Sequence, residues 1–271
     1  MTINTTFGLE FEVQGVSVAQ ASELLNIAGI TCFATMSGVH QTADSWKSVY
    51  DGSVGNGAEV VSPILNSKRS NEAVKVTKVL KSAGARVDTA TGYHVHIGSR
   101  IFGSNGALAR FTLNYYAIHH AIGALVAPSR LNNRYCAVLN REQAERQAEY
   151  LDNGGGASYN GNRYTSLNLD ALERHGTIEI RLHQGTLNGV KAVAWAKFIE
   201  ALILESNNGV DFTSSDTSVV DLNPWAPRPA YGSAPASVAD CHTLLDFLAG
   251  TGSLNASTAD YLKNRAGKLH G

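Results

Sequence analysis

Cysteine is scarce in this chain. Cys32, Cys136 and Cys241 are the three in 271 residues, odd in number, far apart and in no CxxC pair. That usage argues against a disulfide framework and against a cysteine-based zinc site, and it suits a reducing compartment. An excess of one charge is lacking too. With 22 Lys plus Arg against 23 Asp plus Glu the formal net charge is −1. No basic block or basic–aromatic interleaving marks a nucleic-acid surface. The greasiest stretch, "AIHHAIGALVAP", carries paired histidines and is too short for a membrane span. The opening "MTINTTFGLEFEV" has neither the basic n-region nor the apolar run of a signal peptide, so a cytoplasmic protein is expected. A P-loop, GxxxxGK(S/T), and the zinc motif HExxH are both absent. No repeat or heptad is visible.

What remains is an ordinary globular composition, 44% hydrophobic and 17% charged, on a length that suits one domain with a sizeable core. Strand-like alternation runs through "FGLEFEV", "AEVVSPIL", "GYHVHIG", "YTSLNL" and "TIEIRLHQ". Helical spacing predicts helices over 17–29, starting at Ser17, and over 69–84, ending before Gly84. It also predicts a long apolar helix from Ala107 to about Val126, stopped by Pro128. Shorter helices are expected over 141–150 and 190–206, and two more near 237–249 and 257–266. The Ser-, Asn-, Asp- and Pro-rich stretch 207–236 reads as an irregular excursion or lid, with 237–271 as C-terminal helices. Strands and helices mix without regular βαβ alternation, so a single α+β domain over 1–271 with a mainly antiparallel sheet is expected.

Alternate side chains of a strand share a face. In "FGLEFEV" the residues Phe7, Leu9, Phe11 and Val13 form one face, leaving Glu10 and Glu12 together on the other. In "GYHVHIG" the residues Tyr93, Val95 and Ile97 face a core while His94 and His96 point away. In "TIEIRLH" the residues Ile178, Ile180 and Leu182 oppose Thr177, Glu179, Arg181 and His183. Glu59 opens "EVVSPIL", with Val60 on the core side. A solvated sheet face produces the same alternation, but Lys, Thr or Ser usually fill it. Here the outward positions are almost all Glu, His or Arg. Acids and imidazoles converging on one concavity repel or desolvate unless cations lie between them. Carboxylate oxygens with one imidazole suit Mg²⁺ or Mn²⁺. An ExR strand sets a guanidinium beside a metal-binding carboxylate, an arrangement that holds a metal-bound phosphate. The glycine-rich "DGSVGNG" and "DNGGGASYNGN" read as turns or as phosphate-covering loops.

Seven motifs in order, "FGLEFE", "DGSV", "AEVVSPIL", "GYHVHIG", "PSRLNNRYC", "NRYTSLNL" and "TIEIRLHQGTLN", resemble an amidoligase family related to glutamine synthetase and to glutamate–cysteine ligases. The resemblance runs from about residue 7 to residue 200. It implies a glutamine synthetase-like catalytic fold, a curved antiparallel sheet with helices outside, and ATP-dependent joining of a carboxylate to an amine. It implies Glu10, Glu12, Glu59, His94 and Glu179 as ligands of Mg²⁺ or Mn²⁺, and Arg163 and Arg181 as phosphate contacts. His96 would orient the nucleotide or the acid, His183 would likewise contact substrate or nucleotide, Arg130 and Arg134 would grip a carboxylate, and Asp51 would bind or deprotonate the amine.

The expected reaction is amide formation through an acyl phosphate, on small-molecule or peptide substrates, with oligomerisation left open. Two alternatives stand beside it. HxH on a strand is also a zinc pattern, with His183 as a third ligand of a metal-dependent hydrolase. A non-catalytic nucleotide-binding module of the same fold is the other.

Overall fold

The computed structural model describes residues 5–35, 44–66, 68–214, 221–226 and 236–270. The chain divides into two compact units, Met1–Gly98 with His183–Ala196, and Ser99–Leu182 with Lys197–Gly271.

In the first unit, period-two alternation builds strands β1 (Phe7–Gln14), β2 (Cys32–Thr35), β3 (Trp46–Val49), β4 (Gly57–Val61) and β5 (Tyr93–Gly98), ordered β2-β3-β4-β1-β5. Pairing is antiparallel except between β2 and β3, which run parallel. The sheet is therefore mainly antiparallel, as expected, with one parallel pair at its edge. Leu9, Phe11 and Val13 of β1, Ala58 and Val60 of β4, and Tyr93, Val95 and Ile97 of β5 are almost wholly buried. Phe11 stacks between Tyr93 and Trp46, with ring centroids 4.9 and 6.3 Å away. Each Leu, Val, Ile or Phe among them, fully buried, contributes roughly 1.5–3 kcal/mol, so this face anchors the sheet.

Helix α1 (Val18–Ile27) opens at Ser17, whose side chain and that of Gln20 cap each other's backbone N–H groups. It packs on β2, β3 and β4 and on α2 (Asn71–Ser82). Helix α2 stops at Gly84, whose φ of +85° only glycine adopts cheaply. Strands β2 and β3 are not among those predicted from alternation.

The second unit is mainly helical: α3 (Asn105–Ala117), α4 (His119–Gly123), α5 (Pro128–Leu131), α6 (Arg141–Asp152) and α7 (Asp170–His175) precede the C-terminal pair. Helix α8 (Gly189–Asn207) begins within the first unit, where a Cβ at Gly189 would lie 2.4 Å from Val74 Cα of α2. Helices α9 (Val238–Gly250) and α10 (Ala256–His270) pack on each other, and α9 packs on α4. Strands β6 (Leu167–Asn168) and β7 (Thr177–Ile180) pair antiparallel, placing Asn168 opposite Glu179. The predicted strand "YTSLNL" thus narrows to two residues.

The long helix predicted from Ala107 to Val126 is broken at Ile118 (φ −100°, ψ 21°). The Ala117 carbonyl accepts the Trp225 N–H at 2.8 Å, while Ala121 N–H turns to Ile118. A contact remote in sequence has replaced one rung of the helical ladder. The excursion predicted over 207–236 lies in part outside the described residues. Among those described, no helix is long and apolar enough to cross a membrane.

Candidate active site

The register of three strands sets the site in the first unit. Glu12 on β1 pairs with Glu59 on β4, Glu10 pairs with His94 on β5, and Gly8 pairs with His96. Cross-strand partners point to one side of a sheet, so four of these side chains and His96 share the face opposite the Leu9–Phe11–Val13 core. Glu12, Glu59 and His94 are buried and Glu10 nearly so.

Short contacts tie the group together. His94 Nδ1 lies 3.2 Å from Glu10 Oε2 and its Nε2 3.5 Å from Glu12 Oε1, while His96 Nε2 lies 3.2 Å from Glu10 Oε1. Glu12 Oε2 accepts the Gly92 N–H at 2.5 Å. A Cβ at Gly92 would stand 2.7 Å from His94 Nε2 and 3.3 Å from Glu12 Oε2, so only glycine leaves room for both. Burial opposes ionisation of Glu10, yet His96 and His94 together outweigh it and hold its carboxyl well below the usual range.

Asp51 joins this face from the turn after β3. Its Oδ1 accepts both the backbone N–H and the hydroxyl of Ser53, each at 2.7 Å. Ligand atoms of Glu12, Asp51 and Glu59 lie within 4.8 Å of one another, as do those of Glu10, Glu59 and His94. Two ligands of a Mg²⁺ ion at about 2.1 Å are at most about 4.2 Å apart, so small side-chain shifts would close either group on a cation. The donor set, oxygen-rich with one imidazole, fits Mg²⁺ or Mn²⁺ better than zinc.

One residue of this face escaped sequence reasoning. Lys47 on β3 pairs with Val61, which pairs with Glu10, so its side chain lies on the carboxylate side. It is buried; desolvation lowers its pKa, and the charges of Glu10 and Glu59 oppose that shift. It is also the one Lys or Arg in the five strands of this unit. The signal was present in "SWKSV", where Trp46 and Ser48 alternate with Lys47 and Val49.

His183 needs a correction. The alternation predicted through it ends with β7 at Ile180, and the imidazole turns instead to the apolar side of β5. There it meets Tyr93 edge-on with centroids 5.4 Å apart and Trp195 at 5.2 Å, and its Nδ1 lies 2.6 Å from the Gln184 carbonyl. The third imidazole that a zinc reading would add to His94 and His96 packs as a core aromatic.

The other candidates belong to the second unit. Glu179 is buried on β7; Asn168 Nδ2 donates to its Oε2 at 2.6 Å, and Arg181 Nη1 reaches its Oε1 at 2.5 Å. Arg181 Nε also donates to the Tyr135 carbonyl at 3.3 Å. Arg130 is buried and donates to the carbonyls of Leu182 and Arg181, at 3.2 and 2.7 Å. It therefore holds the backbone that carries Arg181 rather than offering an open guanidinium. Arg134 and Arg163 are exposed. Asn168, within the motif "NRYTSLNL", was not singled out from sequence; its place opposite Glu179 is a matter of register.

A family profile described as "Putative amidoligase enzyme" matches residues 4–203, well over half of the chain. Among solved structures, the chain is similar to the complex between prokaryotic ubiquitin-like protein Pup and its ligase PafA. That likeness has a TM-score of 0.42 and 7% identity, and it covers 98% of this chain but 63% of that one. The chain thus spans less than two thirds of that structure's length. No curated protein matches it.

Proposed function

This chain belongs to that amidoligase family, and from this membership we propose that it is an ATP-dependent ligase joining a substrate carboxylate to an amine. The observation that carries the reading is the carboxylate face of the first unit, where Glu10, Glu12, Glu59, Asp51 and His94 bring their ligand atoms within 4.8 Å in two overlapping groups. Glu10, Glu12, Glu59 and His94 would hold Mg²⁺ or Mn²⁺, with Glu179 as a further ligand. Bound divalent cations neutralise a phosphoryl group in transfer and orient it.

In this reading a carboxylate oxygen of the acid attacks the γ-phosphorus of ATP and ADP leaves. The amine then attacks the acyl carbon, and phosphate departs where oxide would have been a poor leaving group. Arg181 and Arg163 take phosphoryl oxygens. His96, near Glu10, orients the nucleotide or the acid. Asp51, whose Oδ1 is fixed by Ser53, receives the proton lost by the attacking amine. Arg130 acts through Arg181, by fixing its backbone. The acid and the amine are small molecules or peptide groups.

The test is a screen of pooled acids and amines with MgATP, following ADP and products by mass spectrometry, with a parallel arm containing hydroxylamine. The expected result is ADP, phosphate and an amide, with a hydroxamate where hydroxylamine replaces the amine. AMP as the nucleotide product would point to an adenylate and overturn the acyl-phosphate mechanism.

A further inference from the structure

The tripeptide Asn-Arg-Tyr occurs twice, at 133–135 and 162–164, and the second unit builds both copies alike. In each, the Asn side-chain oxygen accepts the Tyr backbone N–H, at 2.8 Å for Asn133 and Tyr135 and 3.0 Å for Asn162 and Tyr164. In each, the arginine folds over the ring that follows it. The guanidinium carbon of Arg134 is 4.8 Å from the Tyr135 centroid, and that of Arg163 is 5.3 Å from the Tyr164 centroid. The two rings meet edge to face, 5.6 Å apart at 72°. Just beyond them a parallel bridge between Ala137 and Thr165 locks the copies side by side, with Ala137 N–H donating to the Tyr164 carbonyl at 2.9 Å. Although so firmly placed, Tyr135 and Tyr164 remain 41% and 42% exposed.

Tyr150 and Tyr159 form another exposed edge-to-face pair; what sets Tyr135 and Tyr164 apart is the arginine laid on each ring. Here the rings are fixed yet open, and each carries a cation at its face. An arginine laid on an aromatic ring is weakly hydrated and pre-oriented for oxyanions. The combination suits a ligand with a flat π-system and several negative charges. Among the three reactants of the proposed ligation, the nucleotide has both features; a lone carboxylate needs one arginine and no ring, and an amine needs neither. We infer that the twin Asn-Arg-Tyr motifs form a nucleotide grip, the purine stacking on the Tyr135–Tyr164 pair while Arg134 and Arg163 contact its phosphates. This rests on the ligase reading, and it gives Tyr135, Tyr164 and Arg134 a task shared with Arg163.

The test is calorimetric binding of ATP and of inorganic tripolyphosphate, each with Mg²⁺, to the full chain. Tyr135→Ala and Tyr164→Ala are each expected to weaken ATP about tenfold, as loss of one stacking surface does, and to weaken tripolyphosphate by much less, through the loss of the ring beneath the arginine alone. Arg134→Gln is expected to weaken both ligands. Tyr164→Phe keeps the ring and is expected to bind ATP like wild type, which separates stacking from any disturbance of the fold. Tyr135→Phe keeps its ring but loses the hydroxyl that accepts from Arg134 Nη2 at 2.7 Å, and is expected to weaken ATP and tripolyphosphate alike. Wild-type ATP affinity in both alanine variants overturns the grip while leaving the ligase reading intact. Equal weakening of ATP and tripolyphosphate in the alanine variants overturns the stacking role as well. A wild-type chain that binds no ATP overturns both readings.

Discussion

Glu12 and Glu59 stand directly opposite each other on neighbouring antiparallel strands, 6% and 3% exposed. Like charges in cross-strand positions repel by several tenths of a kcal/mol, and burial adds to the cost. A cation held between them, as the proposed function has it, would screen that repulsion. Glu59→Gln is expected to raise the melting temperature in EDTA by about 2 °C, and to lose most of the rise that Mg²⁺ with ATP gives wild type through linkage. Scanning fluorimetry in EDTA and in MgATP reads both effects. A full MgATP response in this variant would remove Glu59 from the ligand set.

Lys47 is the counterpart of that repulsion, a buried lysine whose charge interacts with both Glu10 and Glu59. Lys47→Met keeps the stem and removes the charge. Its melting temperature in EDTA should fall, because one carboxylate loses its internal counter-ion. Mn²⁺ should bind about tenfold more tightly, since a like charge near the cation has gone. Titration followed by electron paramagnetic resonance measures the second effect. Unchanged Mn²⁺ affinity would reduce Lys47 to a packing role.

Arg181 divides its guanidinium between Glu179 and the Tyr135 carbonyl, which holds the plane of the group. Lysine cannot reproduce that fork. Arg181→Lys should lower turnover by about two to three orders of magnitude, the usual cost of losing one preorganised donor to developing charge. The backbone at this position is fixed by Arg130 and by the Ser166 carbonyl, so the melting temperature should stay near wild type. Steady-state kinetics on the substrate pair found by screening provides the check.

Asp51→Asn separates the two halves of the proposed reaction. Hydroxylamine is a strong nucleophile that needs little help from a base, so hydroxamate formation should survive while natural amide formation is lost. Glu12→Gln should lose both, because acyl transfer to either nucleophile needs the activated acid. The comparison is made between reactions within one variant, which avoids assuming additivity. Loss of both reactions in Asp51→Asn would move Asp51 from the amine to the cations.

His120 carries an expected pH dependence. Burial lowers its pKa, outweighing Asp240 Oδ2, which lies 2.9 Å from its Nε2. The folded chain then binds the proton less readily than the unfolded chain. Stability from this residue is complete above about pH 6.5 and is lost as pH falls through the folded value. His120→Gln should flatten the decline in melting temperature between pH 7 and 5.5. A slope equal to that of wild type would show that other groups control it.

Much of the carboxylate face was legible in the residues alone. A strand turns successive side chains to opposite sides whatever its partners, so Glu10 with Glu12, and His94 with His96, had to share a face once those segments were extended. The apolar alternates, Leu9, Phe11, Val13, Tyr93, Val95 and Ile97, identified the core side for the same reason. The capping pair Ser17 and Gln20 and the stop at Gly84 are equally local, and the helices they bound formed where expected.

What only the tertiary structure decided is which of these pieces oppose one another. Alternation says nothing about register, and a slip of one residue would turn a strand's whole set to the other face. The pairings Glu12 with Glu59, Glu10 with His94 and Asn168 with Glu179 depend on long-range hydrogen bonding. So does the place of Lys47, whose four-residue strand gives an alternation but not the strand it pairs with. The break at Ile118 came from Trp225, more than a hundred residues away in the chain. His183 left the polar face because Tyr93 and Trp195 offered its ring an aromatic pocket. Local pattern determines the side a residue faces; contacts between distant segments determine what it meets there, because their free energy exists only once the chain has folded.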